Sequence, residues 1–598
     1  MALVSITIPK SSQSRTSSKK PTKHFWGQTD PTNIADFDCF VILADWEGGG
    51  GNQCVNNAGS VVATAAVASQ FITSGGTASL EVPIGENRVF YLLAFKATSL
   101  EYCPVSFSDI DAHIPNLSQP QIIGSASSTI EGGDNTVEII ASLSGAELIE
   151  DCSGGIFNYD GELCQLHTGM TSYNELGVGS SDDPYILCTA DQINSISETP
   201  SAMNKKFLLA DDIHMDDDGT NNDIPIGSSA NPFTGTFVGN DHTIYDFSFN
   251  YAPTSNGAGF FGQVSGAGIY YLNLSNVDIF GNNEVGGLAG TAINSSIAYI
   301  SLSGNVQANT TDVGGAIGKM SNGTQIAYTS TTVSVLGNQY AIGGLVGNSD
   351  TCHDTGGSSG GIFFNSVNAT VATDSGGVDV YLGGLVGYAL NTSISENYTS
   401  GTLDQNSQGG ASLVGGLVAE LETDATFPGS SYILNSYSEM STSVLTDTWF
   451  GALAGKLLGT ASDDSTLTKS YSGGYAALAS GTGSNMAGLI GYCDYCVVND
   501  NFVAVEIAQA NGTSNNTDYT IAFSTGNDSV SNLYYASDVN CEANGGGVGT
   551  CTDNAGAIST AVLESTFMGN GTGQPMSIWN ATIWKFTPGD YPRLINTP

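Results

Sequence analysis

Six aspartates crowd the stretch "LADDIHMDDDGTNND": Asp211, Asp212, Asp216, Asp217, Asp218 and Asp223. Oxygen-rich clusters of this kind hold Ca2+, and the Asp-x-Asp-Gly run makes Asp216, Asp218 and Asp223 the candidate ligands. The twelve-residue order of a full calcium loop is missing, so a solvated acidic loop is the competing expectation. Other chemistry is sparse. None of His24, His113, His167, His214, His242 and His353 begins a His-Glu-x-x-His motif, which excludes a zincin site. "GALAGKLL" and "GGAIGKM" set Lys456 and Lys319 after glycines, but the P-loop spacing and its Ser/Thr are absent. Cys493-x-x-Cys496 is half a zinc site without a second half. Polysaccharide lyases and hydrolases pair acids, and lyases add a basic neighbour. The repeat region described below offers only Lys205, Lys206, Lys319, Lys456 and Lys469. We therefore expect no enzyme, no catalytic residue and no cofactor other than the Ca2+ just considered.

The elements around these residues are β-rich. Of 598 residues, 76 are glycine and 12% are charged, while 40% are hydrophobic. That is too apolar for a disordered chain, and helix-forming Lys, Glu and Arg are scarce beside Val, Ile, Thr and Tyr. The formal charge of −43 repels nucleic acid and anionic headgroups, and suits solubility, cation attraction or a salty exterior. The basic residues Lys10, Arg15, Lys19, Lys20 and Lys23 read as a solvated loop. No run of 18 apolar residues predicts a transmembrane helix.

Eleven cysteines include the close pairs Cys152/Cys164, Cys493/Cys496 and Cys541/Cys551, which are disulfide candidates and point to an oxidising compartment. Of Cys39, Cys54 and Cys103, one is expected to lack a partner within its own domain. "MALVSITIP" is too short and too alternating for a signal peptide, so an exported protein would carry its signal elsewhere or use an unconventional one.

Residues 1–145 contain several strand-like runs ("DFDCFVILADWEG", "VPIGENRVFYLLAF") and read as a β-sandwich. Residues 146–175 form a junction carrying Cys152 and Cys164. From there a glycine quartet recurs: "GFFG" from Gly259, "GLAG" (Gly287, Leu288, Gly290), "GAIG" (Gly315, Gly318), "GLVG" (Gly344, Leu345, Gly347) and "GLVG" (Gly384, Leu385, Gly387). It continues as "GLVA" from Gly416, "ALAG" ending at Gly455 and "GLIG" (Gly488, Gly491), with a faint ninth copy near "TIAFST". Steps of 28 to 40 residues mark a repeat architecture. A second element starts at Ile297, Ile326, Ile362, Ile394, Ile433, Leu467 or Val498. Four residues later stands Ser301, Ser330, Ser366, Tyr398, Tyr437, Tyr471 or Phe502. Even spacing along one strand puts both side chains on the same face, so the aromatics are expected in the core rather than in a carbohydrate-stacking ladder. Segments of five to seven residues cannot bury a face alone, but stacked coils can, with glycines at corners where a Cβ would clash. This predicts a β-solenoid over residues 176–540. Residues 541–598 are read as its cap, with Trp579 and Trp584 closing the open end.

The quartets resemble the GLUG-motif repeats of bacterial surface and secreted proteins. "GVGSSDDPYILCTADQINSI" and "FLLADDIHMDD…IPIGSSANPFTGTFVGNDHTIYDFSF" resemble that family's lead-in, and "ISTAVLESTFM", "IWKF" and "YPRL" its close. The resemblance implies a right-handed parallel β-helix in an exported, adhesin-like protein, preceded here by the sandwich-like domain. Its partners would be a host or other cell surface, a glycan or a protein, met by the long face and by loops such as "SDTCHDTGGSSGG" from Ser349. A polysaccharide-acting enzyme and a passive spacer are the alternatives.

Overall fold

In the computed structural model, residues 170–598 are described apart from 181–183, 216–222, 251–255, 356–357, 407–411, 426–430, 445–447, 479–484, 510–515, 519, 526, 537–540, 544–546, 549–558 and 569–575. Before residue 170 the described residues are 2–7, 36–45, 52–56, 61–65, 67–73, 77–82, 84–97, 103, 118, 121–131, 134–142, 146–152 and 164. Two units emerge, residues 1–167 with 176–186, and residues 168–175 with 187–598.

The first unit is a sandwich of a three-stranded and a seven-stranded sheet. Alternate residues of both sheets meet in one core, among them Phe40, Ile42, Phe90, Leu92 and Ile123 from the larger sheet and Val82 and Val137 from the smaller. Cys39 bonds to Cys103 within this unit. Cys152 lies directly across the strand pair from Cys54. Cys164 is disulfide-bonded, as is Cys188.

The second unit is a parallel β-solenoid. Each coil hands its backbone hydrogen bonds to the next, as Leu345 N–H does to Leu385 O (3.0 Å) and Leu385 N–H to Leu417 O (2.8 Å). The strands after the quartets form a nine-stranded sheet from Phe261–Ser265 to Ile521–Ser524, so the faint copy near "TIAFST" is a full coil. Near its start the solenoid carries a helix, Ala190–Ser197, whose first turn is capped by Thr189 Oγ1 accepting from Gln192 N–H (3.2 Å). Among the described residues no helix is long and apolar enough to cross a membrane.

Side-chain rows follow from the register. Phe207, Phe237, Ile269, Ile297, Ile326, Ile362, Ile394, Ile433, Leu467 and Val498 are in-register neighbours and form a fully buried stack. The expectation for the residue four positions on is corrected. Tyr299, Tyr328, Phe364, Glu396, Asn435, Lys469 and Asp500 each adopt a positive φ of 47° to 60°, which turns every coil just before that residue. Period-two parity does not survive a corner. The inward row is therefore one residue later (Leu302, Thr331, Val367, Thr399, Ser438, Ser472, Val503), and Ser301 through Phe502 face outward.

The corner has its own buried hydrogen-bond ladder. Asn365 Oδ1 accepts from Thr329 N–H (2.9 Å), Asn397 Oδ1 from Asn365 N–H (3.1 Å), Ser436 Oγ from Asn397 N–H (3.1 Å), Ser470 Oγ from Ser436 N–H (3.1 Å), and Asn501 Oδ1 from Ser470 N–H (3.0 Å). These side chains satisfy backbone donors that the turn withdraws from the strand ladder. Over the earlier coils the corner residues themselves stack, Tyr271 on Tyr299 (4.6 Å), Tyr299 on Tyr328 (4.8 Å) and Tyr328 on Phe364 (4.8 Å), all within 4° of parallel.

Trp579 and Trp584 do not close the solenoid's end. They lie on its flank, over the outward aromatics: Trp579 Nε1–H donates to Asp500 O (3.0 Å), and Trp584 packs on Tyr437 and Tyr471. The rings of Tyr398, Tyr437 and Tyr471 stack at 4.5 and 4.7 Å, and Tyr437, Tyr471 and Phe502 are buried because Phe567, Met576, Trp579, Trp584 and Leu594 cover them.

Candidate functional site

The quartets mark a second corner of a different kind. In each coil the chain bends at the first glycine and the aliphatic residue after it, so that neighbours such as Leu345 and Val346 both point into the core. A Cβ on Gly347 would sit 2.6 Å from Gly318 O and 2.7 Å from Val313 N, and one on Gly287 2.7 Å from Gly315 O. The glycines are thus required by backbone-to-backbone approach; none of the quartet glycines has a positive φ. The register exposes a further small-residue column, just ahead of the quartet: Gly286, Gly314, Gly343, Gly383, Gly415, Gly451 and Ala487.

At an outward-bulging corner, outer side chains on the two flanking strands diverge. Here they converge. Asn348 Nδ2 donates to Asp312 Oδ1 (3.2 Å), Thr291 Oγ1 to Glu284 Oε2 (3.0 Å), and Tyr340 meets Tyr388 at 5.6 Å, each pair spanning the corner. The corner is re-entrant and leaves a groove along the solenoid. One wall is the in-register row Lys319, Asn348, Tyr388, Glu420, Lys456, Tyr492 and Phe523.

Two aromatic clusters sit in this groove. Tyr340, Tyr381 and Tyr388 meet at 4.9 to 6.0 Å with rings inclined 37° to 44°. Trp449 stands edge-on to Tyr492 (5.1 Å, 86°) and Phe523 (5.8 Å, 72°). Between them Glu420, nearly fully buried, pairs with Lys456 Nζ at 2.9 Å, and Lys456 lies 5.6 Å over the Tyr492 ring. Tyr388 OH donates to Glu422 Oε2 (2.7 Å). Burial, reinforced by Asp312, Glu420 and Glu422, lifts the Tyr340 phenol to about 12. Burial likewise raises Tyr388, helped by its hydrogen bond to Glu422, and Tyr381, helped by the Glu420 charge. These phenols stay protonated and serve as donors rather than bases. Burial raises the Asp312 carboxyl as well, against the opposing pull of Asn348 and Lys319.

Lys319 and Lys456, set aside above as phosphate-loop lysines, are thus groove residues. Another hollow, about 540 Å3, is lined by residues such as Lys206, Thr236, Tyr270, Asn294 and Gln325, with no carboxylate among the described residues.

Of the candidate calcium ligands only Asp223 falls among the described residues. Asp216 and Asp218 lie outside the described residues, as do most of the residues beside them. Asp223 is buried; its Oδ2 accepts from Ser248 N–H (2.7 Å) and its own N–H donates to Ser248 O (2.8 Å). Cys493 and Cys496 are joined as a disulfide, so their sulfurs are not thiolate ligands. The nearby Asp528 accepts from Cys496 N–H (3.1 Å). Cys551 lies outside the described residues, and Cys541 falls on a short strand, Cys541–Ala543. The loop from Ser349 folds partly into a small hairpin, Asp354–Thr355 with Ser358–Ser359, and carries the buried thiol of Cys352.

The groove was missed from sequence because its partners come from successive coils and opposite sides of a glycine bend. The only available signal was the recurrence of Lys, Asn, Tyr or Glu two residues after the quartet's third position.

No protein-family model matches the chain. Halomucin of Haloquadratum walsbyi (strain DSM 16790 / HBSQ001) is similar, at 28% identity over 202 residues, 33% of this chain; the chain spans 2% of that protein's length. The solved structure of a proposed immunoglobulin A1 protease from Bacteroides ovatus aligns with a TM-score of 0.28 and 18% identity, covering 71% of this chain and 96% of that one. A solved IgA1 protease aligns with a TM-score of 0.31 and 13% identity, covering 82% of this chain and 28% of that one. The chain is a parallel β-solenoid carrying a re-entrant groove, with a β-sandwich unit ahead of it.

Proposed function

We propose that this chain is an extracellular or cell-surface protein of the GLUG-motif kind, which attaches to a cell surface, glycan or protein through its solenoid. The observation that carries the reading is the groove: a partly aromatic row repeated along stacked coils, an arrangement that suits an extended ligand. The disulfides Cys39–Cys103 and Cys493–Cys496 support an oxidising location. The −43 charge argues against nucleic acid as partner.

The test is binding of the purified full chain to intact cells, together with fractionation of the producing cell. The reading is sunk if the chain binds no cell, glycan or protein ligand and fractionates with cytoplasm.

One observation favours a second reading, a polysaccharide-acting enzyme. Lys456 stands beside Glu420, with Glu422 on the same strand, so the groove holds the basic residue that such chemistry asks for. Against it, Glu420 is buried and neutralised by Lys456, and the phenols are held protonated. Product release from a glycan panel, abolished by E420Q, would favour the enzyme.

A further inference from the structure

We propose that the groove takes an uncharged polysaccharide chain laid along the solenoid axis. Tyr340, Tyr381 and Tyr388 form one ring-stacking subsite, and Trp449, Tyr492 and Phe523 a second. This rests on the surface-binding reading above and names the class of ligand.

Ring geometry comes first. In the Tyr271–Phe364 ladder parallel rings cover one another's faces and leave only edges to solvent. In the groove the rings of the first cluster are inclined; in the second Phe523 stacks on Tyr492 (5.2 Å, 14°) and Trp449 stands perpendicular to Tyr492 and steeply inclined to Phe523, outside that pair, so the stack stops at two rings and does not run on along the groove. Ring faces carry the negative quadrupole that attracts the C–H face of a sugar. Spacing comes second. Tyr388, Glu420, Lys456 and Tyr492 are successive members of one row, so three coil steps of about 4.8 Å put the subsites about 14 Å apart. That span demands a polymer.

Polar chemistry selects the kind of polymer. Asn348, only 8% exposed, gives its Nδ2 to Asp312 and so ties the two walls of the groove together without adding a charge. The phenols of Tyr340 and Tyr388 stay protonated. Glu284, Asp312, Glu420 and Glu422 outnumber Lys319 and Lys456 along the groove, so a uronate or sulfated chain is repelled. A peptide is disfavoured for another reason: the strands flanking the corner already pair with the coils on either side and offer no free edge to a visiting strand.

The experiment is calorimetric titration of the full chain with cello-, xylo- and mannohexaose, with hexagalacturonate and dextran sulfate alongside. At least one neutral oligomer should bind, and W449A and Y388A should each weaken it about tenfold, the loss expected for a central aromatic of an interface. Y388F keeps the ring and should retain most of the affinity, which separates lost stacking from misfolding. Binding of polyanions alone, binding indifferent to both alanine variants, or binding to no glycan overturns the proposal. If cells are bound while no glycan is, attachment stands and this inference fails; if no cell, glycan or protein is bound and the chain fractionates with cytoplasm, both fail.

Discussion

Arg593 Nη1 lies 2.7 Å from Glu439 Oε2, and its guanidinium sits 5.5 Å over the Tyr437 ring and 5.9 Å over that of Tyr398. One cation thus fastens the final segment of the chain to the outer aromatic row of the solenoid. R593A should cost about 1–2 kcal/mol, from a charge-assisted hydrogen bond and a cation–π contact on a half-exposed group. W584A empties a buried site and should cost about 3–5 kcal/mol. Hydrogen exchange checks both: protection should fall over residues 576–598 and around Tyr437 and Tyr471, and stay unchanged near Tyr271.

Gly343 belongs to the glycine column that the quartets do not include. A Cβ there would run into Val346 O of its own corner, which moves only if the bend opens. G343A should destabilise the solenoid by about 3 kcal/mol, the upper end for overpacking. Thermal unfolding measures it, and a loss no larger than that of a surface alanine substitution refutes the crowding account.

Asn397 is the busiest member of the corner ladder. Its Oδ1 accepts from both Asn365 N–H and Nδ2, and its Nδ2 donates to Ile362 O (2.9 Å) and Ser395 O (3.0 Å). N397A should cost about 3 kcal/mol by stranding buried groups. N397S, which copies the residue at Ser436, should recover part of that loss. Equal loss in both would mean that volume, not hydrogen bonding, matters at the site.

Asp312 binds its proton more tightly folded than unfolded, because burial raises its carboxyl. Its contribution to stability is therefore full below the unfolded aspartate pKa of about 3.9 and is lost as pH rises through the raised native value. D312N removes this dependence, and asparagine tolerates the φ of 58° found there. Comparing melting temperatures of the two proteins from acid to neutral pH, the variant should gain on the wild type as pH rises. A constant difference would sink the assignment.

A chain of formal charge −43 repels itself at low ionic strength. Raising NaCl from about 0.01 M to about 1 M shortens the screening length from about 30 Å to about 3 Å and should raise the melting temperature. A flat profile would mean that the acids are already compensated locally.

How far the sequence could be read depended on whether chain spacing survived the corners. The Ile297-to-Val498 stack was legible because one residue per coil, always aliphatic, recurs at a steady place. The outward position of Tyr398, Tyr437 and Tyr471 was not, because a residue in the left-handed region precedes it in every coil and breaks the two-residue alternation. A clue was present in "IFFNS", "ISENY", "ILNSY", "LTKSY" and "VNDNF", where Asn or Ser always stands third after the aliphatic residue. The groove stayed hidden for a stronger reason: Tyr340 and Tyr388 are neighbours only because glycines let two backbones nearly touch.

That near-contact makes the molecule a kind of measuring stick. The groove's floor is glycine or alanine in every coil from Gly286 to Ala487, while each coil adds about 4.8 Å of length and a few side chains of its own. Exchanging one coil would rewrite a single position along the stick and leave the others as they were. Gaining or losing a coil would alter the longest ligand it can hold, with no new architecture needed.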